Sequence, residues 1–389
     1  MLIDRLADYA GVDTQETFRL IAEAGENIFD ANTDEFIIVS YQDVRTLLPA
    51  TGLTTRRPRR DLLAPASLPA TTREVQIALR AHYAKWPLFS DGDYSRRLRR
   101  HLARSMSDAV EIVAKDASDH IWAVRRETAR SPFSWLQRVA EPIAASVVST
   151  ILGIPPCEAA TLINWATVIV RELAWPVMDG ARAAAALTAQ RALADWLGGA
   201  LPLAHESTIY MQALRAIADD PALGLESAAA TLAQTITGAY DPLASVITTL
   251  ALTVKPEALA ALPPETLTEE VLRLGTPFRF ARRFTTAPAR LSGCDLPPDR
   301  RIFLGLATAN LDPRVFPDPT SMARRQTPHV AFGLGRHYCL GAEVVRSCLS
   351  GVVSGLASVR ATFNAHHVRF APELSILRFT AADGSWQPY

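Results

Sequence analysis

Residues 225–254 form one long apolar run of helical character, and Pro242 stands near its middle, in the stretch TITGAYDPLASVITT (235–249). A proline inside a helix removes a backbone hydrogen bond and costs roughly 3 kcal/mol. A fold built on this helix must therefore gain something from the interruption. About 20 apolar residues suffice to cross a bilayer, but Gln234, several threonines, Asp241 and Pro242 break the run, which reads as a buried core helix. The composition agrees. The chain has 389 residues, 49% hydrophobic and 21% charged, a globular profile with ample length for a large core. Lys+Arg and Asp+Glu are 40 each, so charge gives no support to nucleic acid or a membrane surface as partner.

Helices dominate the rest of the chain. Helical periodicity is expected over 15–24 and 41–49, then over 91–106, 108–127, 134–152, 157–173, 179–198, 206–218, 225–254, 265–275 and 340–358. NIFDANTDEFIIVS reads as a short strand pair, and residues 51–80, rich in Arg and Pro, read as an irregular surface loop. Strand and turn signals return in RRFTTAPARLSGCDLPPDRRIFLGL and in the tail VRFAPELSILRFT. The expected class is mainly α with a minor β region: one domain over 1–389, with a β-rich part at about 25–75, a helical part at about 76–275 and a C-terminal part at about 276–389. The four cysteines, Cys157, Cys294, Cys339 and Cys348, form neither a CxxC pair nor a zinc-ligand spacing. The N-terminus has acids where a signal peptide needs bases, so a cytoplasmic location with reduced thiols is expected.

The most specific stretch is PHVAFGLGRHYCLGAEVVR (328–346). Gly333, Gly335 and Gly341 flank Cys339, which sits where a loop gives way to a helix. Unpaired N–H groups at a helix start favour a thiolate, the metal-binding form of cysteine, and glycines let the backbone pass close to a flat cofactor. A zinc or disulfide role lacks partner ligands. FGLGRHYCLG resembles the haem-binding loop of the cytochrome P450 enzymes, matching it at Phe332, Gly333, Gly335, His337, Cys339 and Gly341.

That resemblance extends along essentially the whole chain. It implies the cytochrome P450 fold, a triangular helical bundle around haem b (iron protoporphyrin IX), with Cys339 as the axial iron ligand. Glu270 and Arg273 in EEVLRL resemble the family's structural Glu–Arg pair, completed by Arg325. TPFRFARRF resembles the segment carrying a propionate-binding arginine, which falls on Arg283; His337 and Arg99 are the other implied propionate contacts. The histidine usual four residues before that last arginine is Ser95 here, which can donate a hydrogen bond but brings no charge. Arg96, Arg100 and Arg104, with Arg97 beside them, are either a solvated basic face or a docking patch for an acidic ferredoxin.

The long apolar helix is similar to the family helix that crosses the oxygen-binding side of the haem. Its pattern, [AG]-G-x-[DE]-T, meets Gly238, Ala239, Tyr240, Asp241 and Pro242. The acid is kept and the threonine is replaced. In the family the acid and the threonine hydroxyl organise proton delivery through water. Pro242 reproduces the local opening, because it leaves the carbonyl of Gly238 without its donor, but it has no hydroxyl. Three routes stay open: monooxygenation with a substrate hydroxyl or water in the threonine's place; oxidative coupling or cyclisation without net oxygen insertion; and peroxide use, against which the Asp-Pro pair weighs, since peroxide-using relatives carry Arg-Pro. The implied function is oxidation of a small organic molecule, free or carrier-tethered, in a natural-product pathway. Electrons would come from ferredoxin and ferredoxin reductase, and the protein would act as a monomer. The non-enzymatic rival is a haem-binding sensor or carrier. Tyr240, Trp175 and Met178 are the candidate pocket residues, although a core role fits the last two as well.

Overall fold

Helix α10 (Gly224–Thr253) sets the frame. Nineteen of its residues are buried, and it continues helical through Pro242. The computed structural model describes residues 14–30, 35–57, 69–174, 179–291, 294–323, 325–371 and 375–388. Around α10 stand α1 (Thr14–Ala24), α2 (Tyr41–Leu47), α3 (Ala70–Tyr83), α4 (Gly92–Leu102), α5 (Val110–Glu127), α6 (Glu141–Leu152), α7 (Pro156–Ala174), α8 (Gly180–Ala200) and α9 (Ile209–Asp219). α11 (Pro256–Ala261), α12 (Pro264–Leu274), α13 (Leu306–Asn310) and α14 (Ala342–Val359) follow. α10 packs against α6, α7, α8, α9 and α12, which accounts for its all-round apolar sequence.

Among the described residues the most extensive helix–helix contact is that of α5 with α14. α5 presents Val113, Ala117, Ile121 and Val124, a helical stripe, to a face of α14 that carries Gly351 and Gly355. A Cβ on Gly351 would lie 2.1 Å from the Ala114 carbonyl oxygen, and one on Gly355 would lie 2.9 Å from the Ile121 Cβ. Backbone contact at this crossing needs glycine. Among the described residues α14 alone is long and apolar enough to cross a membrane, unless the bent pair 136–152 and 156–173 counts as one span; half of α14 is buried in the fold.

The main sheet runs β1 (Ile28–Asp30), β2 (Glu35–Ile38), β8 (Arg301–Gly305), β5 (Phe280–Thr285), β3 (Leu53–Thr54). β2 and β8 are parallel, with Ile37 opposite Phe303, and the other neighbours are antiparallel. The N-terminal strands and the strands after residue 276 thus form one sheet. Asp312 reinforces the join by accepting the Tyr41 backbone N–H at 3.0 Å. A second sheet orders β4 (Phe133–Ser134), β10 (Phe379–Pro388) and β9 (Ala361–Phe370); β6 (Ala289–Leu291) pairs β7 (Cys294–Leu296).

The structure corrects four sequence expectations. Residues 70–83 are helical rather than irregular, because Gln76, Leu79 and Tyr83 share a buried face. The expected helix 134–152 opens instead as strand β4 and a π-helical turn over 136–140, held where Trp135 Nε1 donates to the Ile247 carbonyl at 3.3 Å. The helix expected to reach residue 106 ends at Leu102, and Arg104 lies beyond it at φ 61°, so Arg96, Arg100 and Arg104 do not share a helical face. The tail strands extend to ten residues each, because they pair with one another.

Candidate functional site

The cysteine loop is shaped by two left-handed glycines, Gly333 (φ 67°) and Gly335 (φ 69°), with a single 3-10 turn over Gly335–His337. Gly335 passes Pro49 so closely that a Cβ would sit 2.9 Å from the proline ring. The Cys339 N–H closes the loop on the Phe332 carbonyl at 3.0 Å. Phe332 is held by Arg346, whose guanidinium stands 4.7 Å from the ring centroid, and by Tyr338 at 6.2 Å. Arg346 is fixed in turn by Glu269, its Nε donating at 2.6 Å, and its Nη1 donates to the Tyr338 hydroxyl at 3.1 Å. Sequence reasoning missed Arg346 and Glu269; the bond between them joins α14 to α12 and shows nothing in local spacing.

Cys339 is solvent-accessible. Burial pushes its thiol up, against the Gly341 N–H and the charges of Arg99 and Arg346, which pull toward the thiolate. The lowering expected from the helix start is present but outweighed by desolvation, so deprotonation is left for a bound metal cation to complete. Among the described residues no group of three or more His, Cys, Asp or Glu could hold a metal ion, and a metal on Cys339 would draw its other ligands from a cofactor.

On α10, Gly238 is the one exposed position between Thr231 and Leu250. A Cβ there would meet nothing within 4 Å. Its carbonyl faces an i+4 residue, Pro242, that has no N–H. Ala239 and Tyr240 are half-buried, and Pro242 is buried. Tyr240 and Asp241 border a tight cleft against Ile163, Ala166, Thr167 and Val170 of α7. Burial and the charges of Glu141 and Asp241 push the Tyr240 hydroxyl up to about 12, and burial followed by the Asp241 charge pushes the Glu141 carboxyl up. Asp241 is thus coupled to a second acid, Glu141 on α6, that the sequence did not reveal. Trp175 and Met178 lie outside the described residues.

Arg283, on β5, is 3% exposed. Among the described residues its guanidinium donates only to the carbonyls of Arg282 (2.9 Å) and Leu48 (3.3 Å), and its Nε is buried with no partner. Burial lowers its pKa to about 10, helped by repulsion from Arg336 and opposed by Asp91. A buried cation with no carboxylate bonded to it calls for an anion. His337, two before the cysteine, bonds through Nε2 to Asp91 at 2.8 Å. Arg99 donates to the Tyr338 carbonyl at 3.0 Å and interacts with Cys339. Ser95 is buried on the same helix. The neighbouring basic residues are partly neutralised: Arg96 pairs with Asp93, and Arg97 and His101 both pair with Asp220.

Glu270 and Arg273 form a buried bidentate pair, both bonds 2.9 Å, and Arg325 Nε adds a third contact to Glu270 at 3.0 Å. Arg273 also donates to the carbonyls of Asn310, Pro319 and Ser321, and Arg325 to those of Pro317, Asp318 and Ser321. The triad therefore clasps α12 to the segment that leads into the cysteine loop.

An accessible cysteine, an open glycine on the core helix and a buried arginine with no carboxylate bonded to it among the described residues are side chains that fit a flat, anionic, iron-bearing cofactor. No protein-family model matches the chain. Among curated proteins, Cytochrome P450 CYP107DY1 of Priestia megaterium is 24% identical over 264 residues, 65% of this chain and 62% of that protein. Nocardicin C N-oxygenase of Nocardia uniformis subsp. tsuyamanensis is 29% identical over 244 residues, 59% of this chain and 60% of the relative. The alignments thus span less than two thirds of these relatives' length. Among solved structures, Mycobacterium smegmatis CYP164A2 superposes with a TM-score of 0.80 at 18% identity over 99% of both chains. P450 OxyD, involved in the biosynthesis of vancomycin-type antibiotics, gives 0.77 at 18% over 98% of both. The solved structures establish the fold, which is that of the cytochrome P450 proteins, and the similarity to curated bacterial P450 proteins supports a bacterial member of that family. The likeness to P450 proteins implies a haem cofactor.

Proposed function

We propose that this protein is a haem-thiolate oxidase that oxidises a small organic molecule as a tailoring step in natural-product biosynthesis. The observation that carries the reading is Cys339, solvent-accessible at the end of a glycine-shaped loop, with the Gly341 N–H and the charges of Arg99 and Arg346 offsetting part of the burial that raises its thiol. Support for the substrate class comes from relatives named for nocardicin C N-oxygenation and for vancomycin-type antibiotic biosynthesis. In this reading Cys339 holds the iron of haem b, and Arg283, His337 and Arg99 hold its propionates, with Ser95 as a neutral donor. Phe332, Gly333 and Gly341 shape the cysteine side, and Tyr240 and Ala239 border the substrate space. When bound, the haem supplies one-electron and dioxygen chemistry, with the thiolate tuning it.

The chain's own part lies on α10. The Gly238 carbonyl, which Pro242 leaves without a donor, accepts from a water beside the open face. Asp241, backed by Glu141, orients and recharges that water with protons. No threonine hydroxyl stands at 242, so the proton path runs through water or through the substrate. That same absence favours the second reading, coupling or cyclisation without net oxygen insertion. Ferredoxin and its reductase are the proposed electron donors, with the exposed Arg100 and Arg104 available for docking.

The test is a Soret titration of purified ferric protein with aromatic amino-acid derivatives, cyclic dipeptides, macrolides and terpenoids, then turnover with a ferredoxin system. A high-spin shift followed by an oxygenated product supports monooxygenation. A dehydrogenated or coupled product supports the second reading. Protein without a thiolate-type ferrous–CO band, or with one but no product from any compound that shifts the Soret, refutes the enzymatic proposal.

A further inference from the structure

Arg346 stands one turn into α14, the helix that follows the cysteine loop. Its guanidinium forms a fork on Glu269 of α12: Nε donates to Oε1 at 2.6 Å and Nη2 to Oε2 at 3.3 Å. Glu269 is placed in turn by His329, whose Nε2 stands 3.2 Å from Oε2. An ion pair this close to the surface contributes about 0–1 kcal/mol to stability. What sets this one apart is its reach into the cysteine loop.

The same guanidinium touches the loop at both ends. It stands 4.7 Å from the centroid of the Phe332 ring, and Nη1 donates to the Tyr338 hydroxyl at 3.1 Å. Phe332 and Tyr338 pack edge to face at 6.2 Å, and the Phe332 carbonyl accepts the Cys339 N–H at 3.0 Å. Tyr338 is gripped a second time from α4, where Arg99 donates to its carbonyl at 3.0 Å. The residue before the cysteine is thus fixed at its backbone by one arginine and at its hydroxyl by another. Both arginines also act by charge on the Cys339 sulfur, Arg99 more than Arg346. They differ in their partners. Arg99 is assigned above to a cofactor propionate, which would offset its charge, whereas Arg346 already has its carboxylate within the protein.

We propose that Arg346 is a positioning residue for Cys339: anchored on Glu269, it clamps Phe332 and Tyr338 and fixes a positive charge on the sulfur's flank, which weakens the thiolate's donation to the haem iron. The proposal rests on the haem reading above. Groups outside the ligand set that hold and polarise a ligand are among the levers on an iron site's potential. A positive charge near the sulfur favours the reduced iron, whose site carries one more negative charge, and Glu269 offsets part of that effect. The two side chains of the pair therefore move the reduction potential in opposite directions.

The experiment compares haem-loaded wild type, Arg346→Met, Arg346→Lys and Glu269→Gln. Midpoint potentials are read by dye-coupled reductive titration and the Fe–S stretch by resonance Raman, with thermal melting in parallel. The expected result is a lower potential and a higher Fe–S frequency in Arg346→Met. Arg346→Lys keeps the charge without the fork and should return part of the way to wild type. Glu269→Gln, whose amide oxygen can still accept from Arg346, should raise the potential. Unchanged potentials, whatever the melting temperatures do, or shifts of the same sign in Arg346→Met and Glu269→Gln, overturn the proposal and leave the pair as a fastener between α12 and α14. Should Arg346→Met take up no haem, Glu269→Gln decides: a raised potential supports the proposal, and an unchanged or lowered one sinks it. Wild-type protein that takes up no haem refutes the functional reading itself and is seen before any variant is compared.

Discussion

Arg273 illustrates what one buried charge does here. It is 1% exposed and meets one carboxylate and three carbonyls. Breaking a buried pair by removing one partner typically costs about 3–5 kcal/mol, because the other charge is left buried. Arg273→Ala should lose about that much in denaturant unfolding and release haem. A value below about 1 kcal/mol would mark the pair as dispensable. Glu141 carries the opposite sign. Its carboxyl is pushed up by burial and by Asp241, so the folded state binds its proton more tightly than the unfolded chain. The stability that proton brings is present at low pH and lost as pH rises through the raised value. Glu141→Gln should therefore raise the melting temperature at neutral pH and remove that part of the pH dependence; a lower melting temperature at neutral pH would contradict the assignment. Of the site residues, those on loops with glycine punctuation were legible. Asp91, Glu269 and Arg346 were not, because their partners lie far along the chain and a lone acid or arginine looks like solvated surface.

Two elements carry the design. α10 keeps a proline where a helix loses a bond for it, beside an open glycine. Pro242→Ala restores an N–H that can reach the Gly238 carbonyl and should stabilise the apoprotein by up to about 3 kcal/mol, while a larger share of electrons is lost as hydrogen peroxide during turnover. Unchanged coupling would show that the freed carbonyl holds no useful water. The α5–α14 crossing depends on Gly351, where an added Cβ meets backbone rather than a flexible side chain. Gly351→Ala should cost at least the 1–3 kcal/mol typical of overpacking, about 2 kcal/mol at the centre of that range, read as a lower denaturation midpoint. The long amphipathic helices were readable to within a few residues. The helix at 70–83 was not, since its buried face mixes Gln76 and His82 with Leu79 and Tyr83 and so lacks a clean apolar stripe.

At the scale of the molecule, distant segments are joined by carboxylates held ionised. Asp91 ties residues 54–55 to the cysteine loop, Asp312 ties α2 to the segment after α13, and Glu269 ties α12 to α14. Burial alone would raise each, but their donors win; Glu269 is brought down to about 2 by His329 and Arg346. Such groups stabilise the fold at pH above the unfolded carboxylate range, near about 4, and the contribution is lost as pH falls through the folded values. Denaturant stability should decline steeply between about pH 4 and pH 2, and a flat profile there would show the joins to be weak. The sequence by itself determined the helical framework, the cysteine loop and the replacement of a threonine by Pro242, because periodicity, glycine and proline act within a few residues. Only the tertiary structure decided that Asp91 abandons its helix for His337, that Arg283 is buried without a bonded carboxylate among the described residues and that Cys339 is left solvent-accessible. Those outcomes depend on which far-off groups come within about 3 Å of one another, the range of a hydrogen bond, and local sequence carries no record of that.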